Sequence, residues 1–193
     1  MRPCLLSGGA SRRMGTDKAL LRRACGGTLL ERQLQLLLCL GSPVSLISRH
    51  PSHHDLASRF GSRVHRIPEP PPWEGPLLAL SRLMEAHPDE DLLVIAVDMP
   101  GLSAPSLRPW LEATGEAIQI AEAAGRWHPL PGRYPAALRP SLRRAVLEGE
   151  RSLLGWIRRC PVQLHSLPEP ALHNLNTPAD LTDARTGHGW SRF

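Results

Sequence analysis

Apolar residues follow two alternating rhythms along this chain. The run Leu92-Leu93-Val94-Ile95-Ala96-Val97 is continuous, as expected for a strand covered on both faces of a parallel sheet. Residues 3–6, 44–48 and 63–67 read as further strands. Thr28-Leu29-Leu30-Glu31 has the form of a capping box opening an apolar helix through residue 40, stopped by Gly41 and Pro43. Residues 52–60 and 77–87 also carry a helical pattern. Between residues 68 and 76, Pro68-Glu69-Pro70-Pro71-Pro72-Trp73-Glu74-Gly75-Pro76 is too rich in proline for a helix or a central strand. Farther on, residues 116–121, 126–130 and 162–167 are expected strands, and 140–148 and 153–159 expected helices. Thr177-Pro178 has the look of an N-cap with proline in the first turn. No repeat or linker interrupts the series. The alternation predicts one α/β domain over residues 1–185, three layers (α/β/α) around a mostly parallel central sheet, and a loose tail at 186–193.

Composition narrows the class. With 193 residues and 41% hydrophobic content, the chain can bury a substantial core and does not read as disordered. No apolar run approaches the ~20 residues that span a bilayer. The first strand breaks at glycine where a secretion signal would continue, which predicts a cytoplasmic protein. Cys4, Cys25, Cys39 and Cys160 form no C-x-x-C pair, which favours reduced thiols over a zinc site or disulfides. The net charge of +5 is compatible with nucleic acid. The arginines are scattered in pairs, however, and one Tyr and two Phe make a poor stacking platform. A groove for a small anion accounts for the charge equally well.

The chemistry begins at Lys18, the only lysine in the chain. An ammonium is a compact point charge and a guanidinium a flat fork, so a single lysine among arginines hints at a geometric need. It closes a glycine-rich basic loop that follows the first strand, with backbone N–H groups from Gly8 to Ser11 and cations at Arg12, Arg13 and Lys18. Such a loop suits phosphate. It matches neither the Walker A pattern nor G-x-G-x-x-G. Asp98 ends the most hydrophobic strand. Ligands of open α/β sheets bind at the carboxyl ends of parallel strands, so Ser7 and Asp98 would face one crevice. A carboxylate beside a phosphate cradle suits Mg²⁺; a turn or N-cap aspartate before proline is the competing reading. Asn174 and Asn176, the only asparagines, would point the same way from an extended segment and could read a polar heterocycle. His50, His53 and His54 make a poor metal template and read as a solvated surface. His128-Pro129 is a better pocket candidate.

Together these motifs resemble the molybdenum cofactor guanylyltransferases, a family of nucleotidyltransferases. Its L-A-G-G-x-S-x-R-M-G-x-D-K loop is similar to the run from Leu6 to Lys18, differing at Ser7. G-P-L-A-G resembles Gly75-Pro76-Leu77-Leu78-Ala79. D-M-P matches Asp98-Met99-Pro100, H-P matches His128-Pro129, and N-x-N-T-P matches Asn174 to Pro178. The resemblance implies a nucleotide-diphospho-sugar-transferase-like, Rossmann-like fold. It implies GMP transfer from GTP to the phosphate of molybdenum-bound molybdopterin, with Mg²⁺. Lys18, Arg13 and Asp98 would be catalytic, with Asp98 the metal ligand. Leu6, Ser7, Gly8, Gly9, Ser11, Glu69 and Gly75 would join Lys18 and Asp98 around the nucleotide. His128, Arg151, Asn174 and Asn176 would lie on the pterin side. Implied partners are the two substrates and, transiently, cofactor-insertion or molybdoenzyme proteins. No nucleic acid or membrane partner is implied, and a monomer is expected.

Several positions depart from the family pattern. Ala79 replaces the second glycine of G-P-L-A-G, after a bulky Leu78. Glu69 stands where relatives often have aspartate. Leu46 to Ser48 lack an expected asparagine, and Ser152 replaces an arginine, leaving Arg151 beside it. A cytidylyltransferase acting on the same cofactor would share Lys18 and Asp98, but its first turn resembles L-A-A-G, whereas Gly8-Gly9 favours guanine. Sugar-phosphate nucleotidylyltransferases usually carry a larger sugar-binding half. A non-catalytic nucleotide-binding or cofactor-handoff protein is the alternative of another class; intact Lys18 and Asp98 argue against it.

Overall fold

The computed structural model describes residues 1–9, 17–23 and 26–175. Ser11, Arg13, Cys25, Asn176, the expected cap at Thr177 and the expected tail lie outside the described residues. Seven strands form one sheet in the order β3-β2-β1-β4-β6-β5-β7. They are β1 (Arg2–Leu6), β2 (Val44–Ser48), β3 (Val64–Pro68), β4 (Leu92–Ala96), β5 (Ile118–Ala123), β6 (Arg126–Tyr134) and β7 (Val162–Ser166). Only β6 pairs antiparallel, with β4 and β5. The expected mostly parallel α/β/α sheet is what forms.

Alternation along the central strands builds the layers. Leu93 and Ile95 of β4 join one buried cluster with Leu5 and Leu46, packed against α1 (Leu29–Leu40) and α4 (Ala104–Glu112). Leu92 and Val94 join the opposite cluster with Cys4, packed against α3 (Pro76–Ala86), α5 (Arg139–Leu147) and Trp156 of α6 (Leu153–Ile157). A strand buried on both faces must be apolar throughout, which is why 92–97 reads as one unbroken run. α1 opens with the Thr28/Glu31 capping box inferred from the sequence.

Three elements depart from expectation. α4 occupies a stretch whose two prolines, Pro105 and Pro109, mask its helical pattern; Ser103 caps it through the amide of Ser106. β6 runs through Tyr134, past the expected end at 130, because a register shift opposite Ile120/Ala121 leaves residues 129–131 unpaired before the ladder resumes at Gly132. α2 (Pro51–Ser58) buries His53, so the histidine cluster is not a solvated surface. No described helix is long and apolar enough to cross a membrane.

Candidate active site

Parallel β1 and β4 lie side by side, with Leu6 opposite Ala96. β1 leads by chain order to β2 on its other side, so the sheet reverses direction of growth here. Such a switch point opens a crevice beyond the strand ends. A cleft of about 490 Å³ occupies that position. It gathers Leu6, Ser7, Gly8, Gly9, Lys18, Glu69, Gly75 and Asp98, residues drawn from separated parts of the chain. All were expected around a nucleotide.

Lys18 begins a single 3₁₀ turn, Lys18–Leu20, capped by Asp17, whose Oδ1 accepts from the Ala19 amide at 3.0 Å. Its Nζ lies 3.6 Å from Asp98 Oδ2, both side chains largely shielded from solvent. Burial pushes the Asp98 carboxyl above its ordinary value, and the nearby Lys18 ammonium only partly offsets this. The turn around Asp98 is gripped from α1. Buried Gln33 donates to the Met99 carbonyl at 2.7 Å, and Arg32 to the Leu102 carbonyl at 2.8 Å. Below it, a Cβ on Gly101 would strike the Pro170 carbonyl, so glycine permits the close approach of α7 (Glu169–Leu172).

Glu69 reaches the same cleft from the end of β3. Arg82 holds its Oε1 at 3.0 Å, while Oε2 lies so near Gly8 that an added Cβ would come within 2.5 Å. Beside it, Trp73 donates to the Glu69 carbonyl at 3.0 Å and stacks under the Arg49 guanidinium, 5.0 Å from the ring centre.

Of the expected pterin-side residues, His128, Arg151 and Asn174 lie near this cleft without lining it. The Leu175 amide donates to the Asp98 carbonyl at 2.9 Å, which brings the neighbouring, exposed Asn174 to the Asp98 turn. His128 pairs with Ala121 just before the unpaired stretch that sends Leu130 into the cleft. Arg151 forms an ion pair with Glu74, adjacent to the cleft residue Gly75. Ser152, in place of the family arginine, caps α6 through the Gly155 amide. The sequence reading missed Asp17, Arg49, His53 and Trp73. The buried polar pair Arg32 and Gln33, inside an otherwise leucine-rich helix, was a legible sign that a carbonyl-rich turn lies opposite.

Among the described residues, no three His, Cys, Asp or Glu side chains could enclose a metal ion by themselves. Asp98 offers a partly desolvated carboxyl beside Lys18 at the end of β4, with Glu69 lining the same cleft. That donor set fits a hard cation held by one or two carboxylates and completed by substrate phosphates.

The MobA-like NTP transferase domain matches residues 4–165. The chain belongs to this family. As a family member it is a nucleotidyltransferase. The chain is 36% identical over 190 residues to the molybdenum cofactor guanylyltransferase of Cereibacter sphaeroides strain ATH 2.4.9, covering 94% of each chain. It is 34% identical over 184 residues to the "Probable molybdenum cofactor guanylyltransferase" of Synechococcus elongatus, covering 91% of this chain and 93% of that one. Among solved structures, molybdopterin-guanine dinucleotide biosynthesis protein A from Archaeoglobus fulgidus shares the fold with a TM-score of 0.75 at 24% identity, covering 96% and 97% of the two chains.

Proposed function

We propose that this MobA-like transferase moves GMP from GTP onto the phosphate of molybdenum-bound molybdopterin. A phosphate oxygen of the pterin attacks the α-phosphorus of GTP. The bond from that phosphorus to the β-phosphate bridging oxygen breaks, pyrophosphate leaves, and molybdopterin guanine dinucleotide remains. The observation that carries the reading is the convergence of Gly8, Gly9, Glu69, Lys18 and Asp98 on one cleft. The names borne by its relatives point the same way.

Each residue has a physical task in this reading. Gly8 and Gly9 let the base approach the end of β1 closely. Guanine presents two N–H donors on its pairing edge, which a carboxylate such as Glu69 can accept. Cytosine presents one amino donor beside two acceptors, a poorer match. Lys18, with Arg13, would neutralise phosphate charge as it shifts during transfer. Asn174, Asn176, His128 and Arg151 would meet the pterin. Mg²⁺, held by Asp98, would neutralise phosphate oxygens and orient the leaving group. Holding both substrates in line supplies much of the acceleration without a covalent intermediate. The enzyme is proposed to act as a cytoplasmic monomer that meets cofactor-insertion or molybdoenzyme proteins transiently.

Incubation with molybdopterin and GTP labelled at the α-phosphate tests this. The label must appear in a dinucleotide joined through a pyrophosphate bridge. Label found only in free GMP would indicate hydrolysis and refute the transfer.

A further inference from the structure

We propose that His53 is a positioning residue for this transfer: its imidazole ties the end of β1 at Ser7 to the Asp17 carboxylate that caps the turn carrying Lys18. The inference rests on the reading above in one respect, that Lys18 handles the phosphates.

The geometry is specific at both ring nitrogens. Nε2 lies 2.8 Å from Asp17 Oδ2. Nδ1 lies 3.0 Å from Ser7 Oγ, 2.9 Å from Ser48 Oγ and 2.8 Å from the Ser7 carbonyl. The ring is gripped at both nitrogens: Nε2 faces the acceptor oxygen of Asp17, and Nδ1 faces the Ser7 carbonyl together with the Ser7 and Ser48 hydroxyls. The Ser48 hydroxyl, 2.7 Å from the Ser7 carbonyl, donates there. Every hydrogen-bonding position of the ring is then used inside the protein, so His53 has no nitrogen left to act on substrate directly.

Both oxygens of Asp17 are also engaged, Oδ2 with His53 and Oδ1 with the Ala19 amide. A carboxylate held at two points cannot pivot, and Lys18 is the next residue. His53 is only 1% exposed, packed on the core side of α2, which gives the anchor a rigid base. It therefore joins the glycine end of the nucleotide cleft to its cationic end. Misplacing a charge by ~1 Å costs on the order of a hundredfold in rate, so the tether matters to turnover more than to affinity.

Two amide substitutions separate the arms. In His53→Gln, the side-chain nitrogen reaches about as far as Nε2 and can still donate to Asp17. In His53→Asn it reaches only the serine side. We expect kcat of His53→Gln to stay within about threefold of wild type and that of His53→Asn to fall about tenfold or more, with KM for GTP little changed in both. Because Lys18 is the only lysine, ¹⁵N-lysine labelling gives one backbone amide resonance. It should stay near its wild-type position in His53→Gln and move in His53→Asn. Asp17→Asn covers the case in which His53→Asn does not fold. Its amide can keep the cap on Ala19 but offers His53 no carboxylate, so kcat should fall with KM for GTP little changed. Equal kcat in all variants, equal losses in both His53 variants, or an unmoved Lys18 resonance in His53→Asn would overturn the role. A wild-type chain without GTP turnover would instead refute the functional reading, while the resonance comparison would still decide the tether.

Discussion

Leu175 donates its amide hydrogen to the carbonyl of Asp98 at 2.9 Å. The segment bearing Asn174 is thereby fastened to the residue proposed to hold the cation, so the two substrates would meet across a single backbone hydrogen bond.

That juxtaposition makes Asn174→Ala informative. The side chain is exposed, so its removal should leave the melting temperature within about 1 °C, as for surface substitutions generally. KM for molybdopterin should rise by about tenfold, the scale of one or two lost hydrogen bonds, while calorimetric titration with GTP is unchanged. Weakened GTP binding with unaltered pterin affinity would put Asn174 on the other substrate.

Gly8→Ala should weaken both stability and GTP binding, because the new methyl would meet Glu69 Oε2, and Glu69 is buried and paired with Arg82. Overpacking of this kind costs about 1–3 kcal/mol. In a Glu69→Ala background the obstacle is gone and the same substitution should cost much less. A double-mutant cycle in urea reads the coupling. Strict additivity would mean that the contact has no energetic weight.

Acid should destabilise the free protein below about pH 6.5, where unfolded imidazoles begin to protonate. Burial lowers the pKa of His53, His87 and His165, in each case as the largest influence. Their stabilising contribution is present above the unfolded value and is lost as pH falls through the folded values. The depressed Glu90 carboxyl adds to the loss at lower pH, while the raised Asp98 carboxyl opposes it. His53 faces Asp17 and the His50 ring, 4.8 Å away between centroids. Each proton taken up only on unfolding gives a slope of up to ~1.4 kcal/mol per pH unit. Urea melts of His53→Gln should therefore show a shallower decline between about pH 7 and pH 5 than wild type. An identical slope would mean that His53 titrates alike in both states.

Much of this enzyme was legible in its residues. β4 and the α1 cap could be read because a strand covered on both faces must be apolar, and because Thr28 and Glu31 answer each other's backbone demand. The cleft residues from Leu6 to Gly9, Lys18, Glu69, Gly75 and Asp98 were identified from their motifs, and the fold brings them together. What stayed hidden depended on partners distant in sequence. His53 looked like one of three surface histidines, since nothing local shows that Asp17 and Ser7 converge on it. α4 was obscured by prolines that its Ser103 cap and buried Trp110 outweigh.

Lys18→Arg should be damaging although charge is conserved. Lys18 approaches Asp98 in a mostly enclosed space, and a guanidinium is bulkier and planar. The expected variant folds with a ligand-free melting temperature near wild type and a turnover lower by about a hundredfold. Wild-type turnover would show that any cation suffices there.

Pyrophosphate release from a four-nucleotide panel, with molybdopterin and Mg²⁺ present, tests the central claim most directly. GTP should support release that depends on molybdopterin and disappears in Asp98→Asn, while CTP, ATP and UTP support little. Release with CTP exceeding that with GTP, or release from GTP that is indifferent to molybdopterin, would contradict the assignment of guanylyl transfer to this cleft.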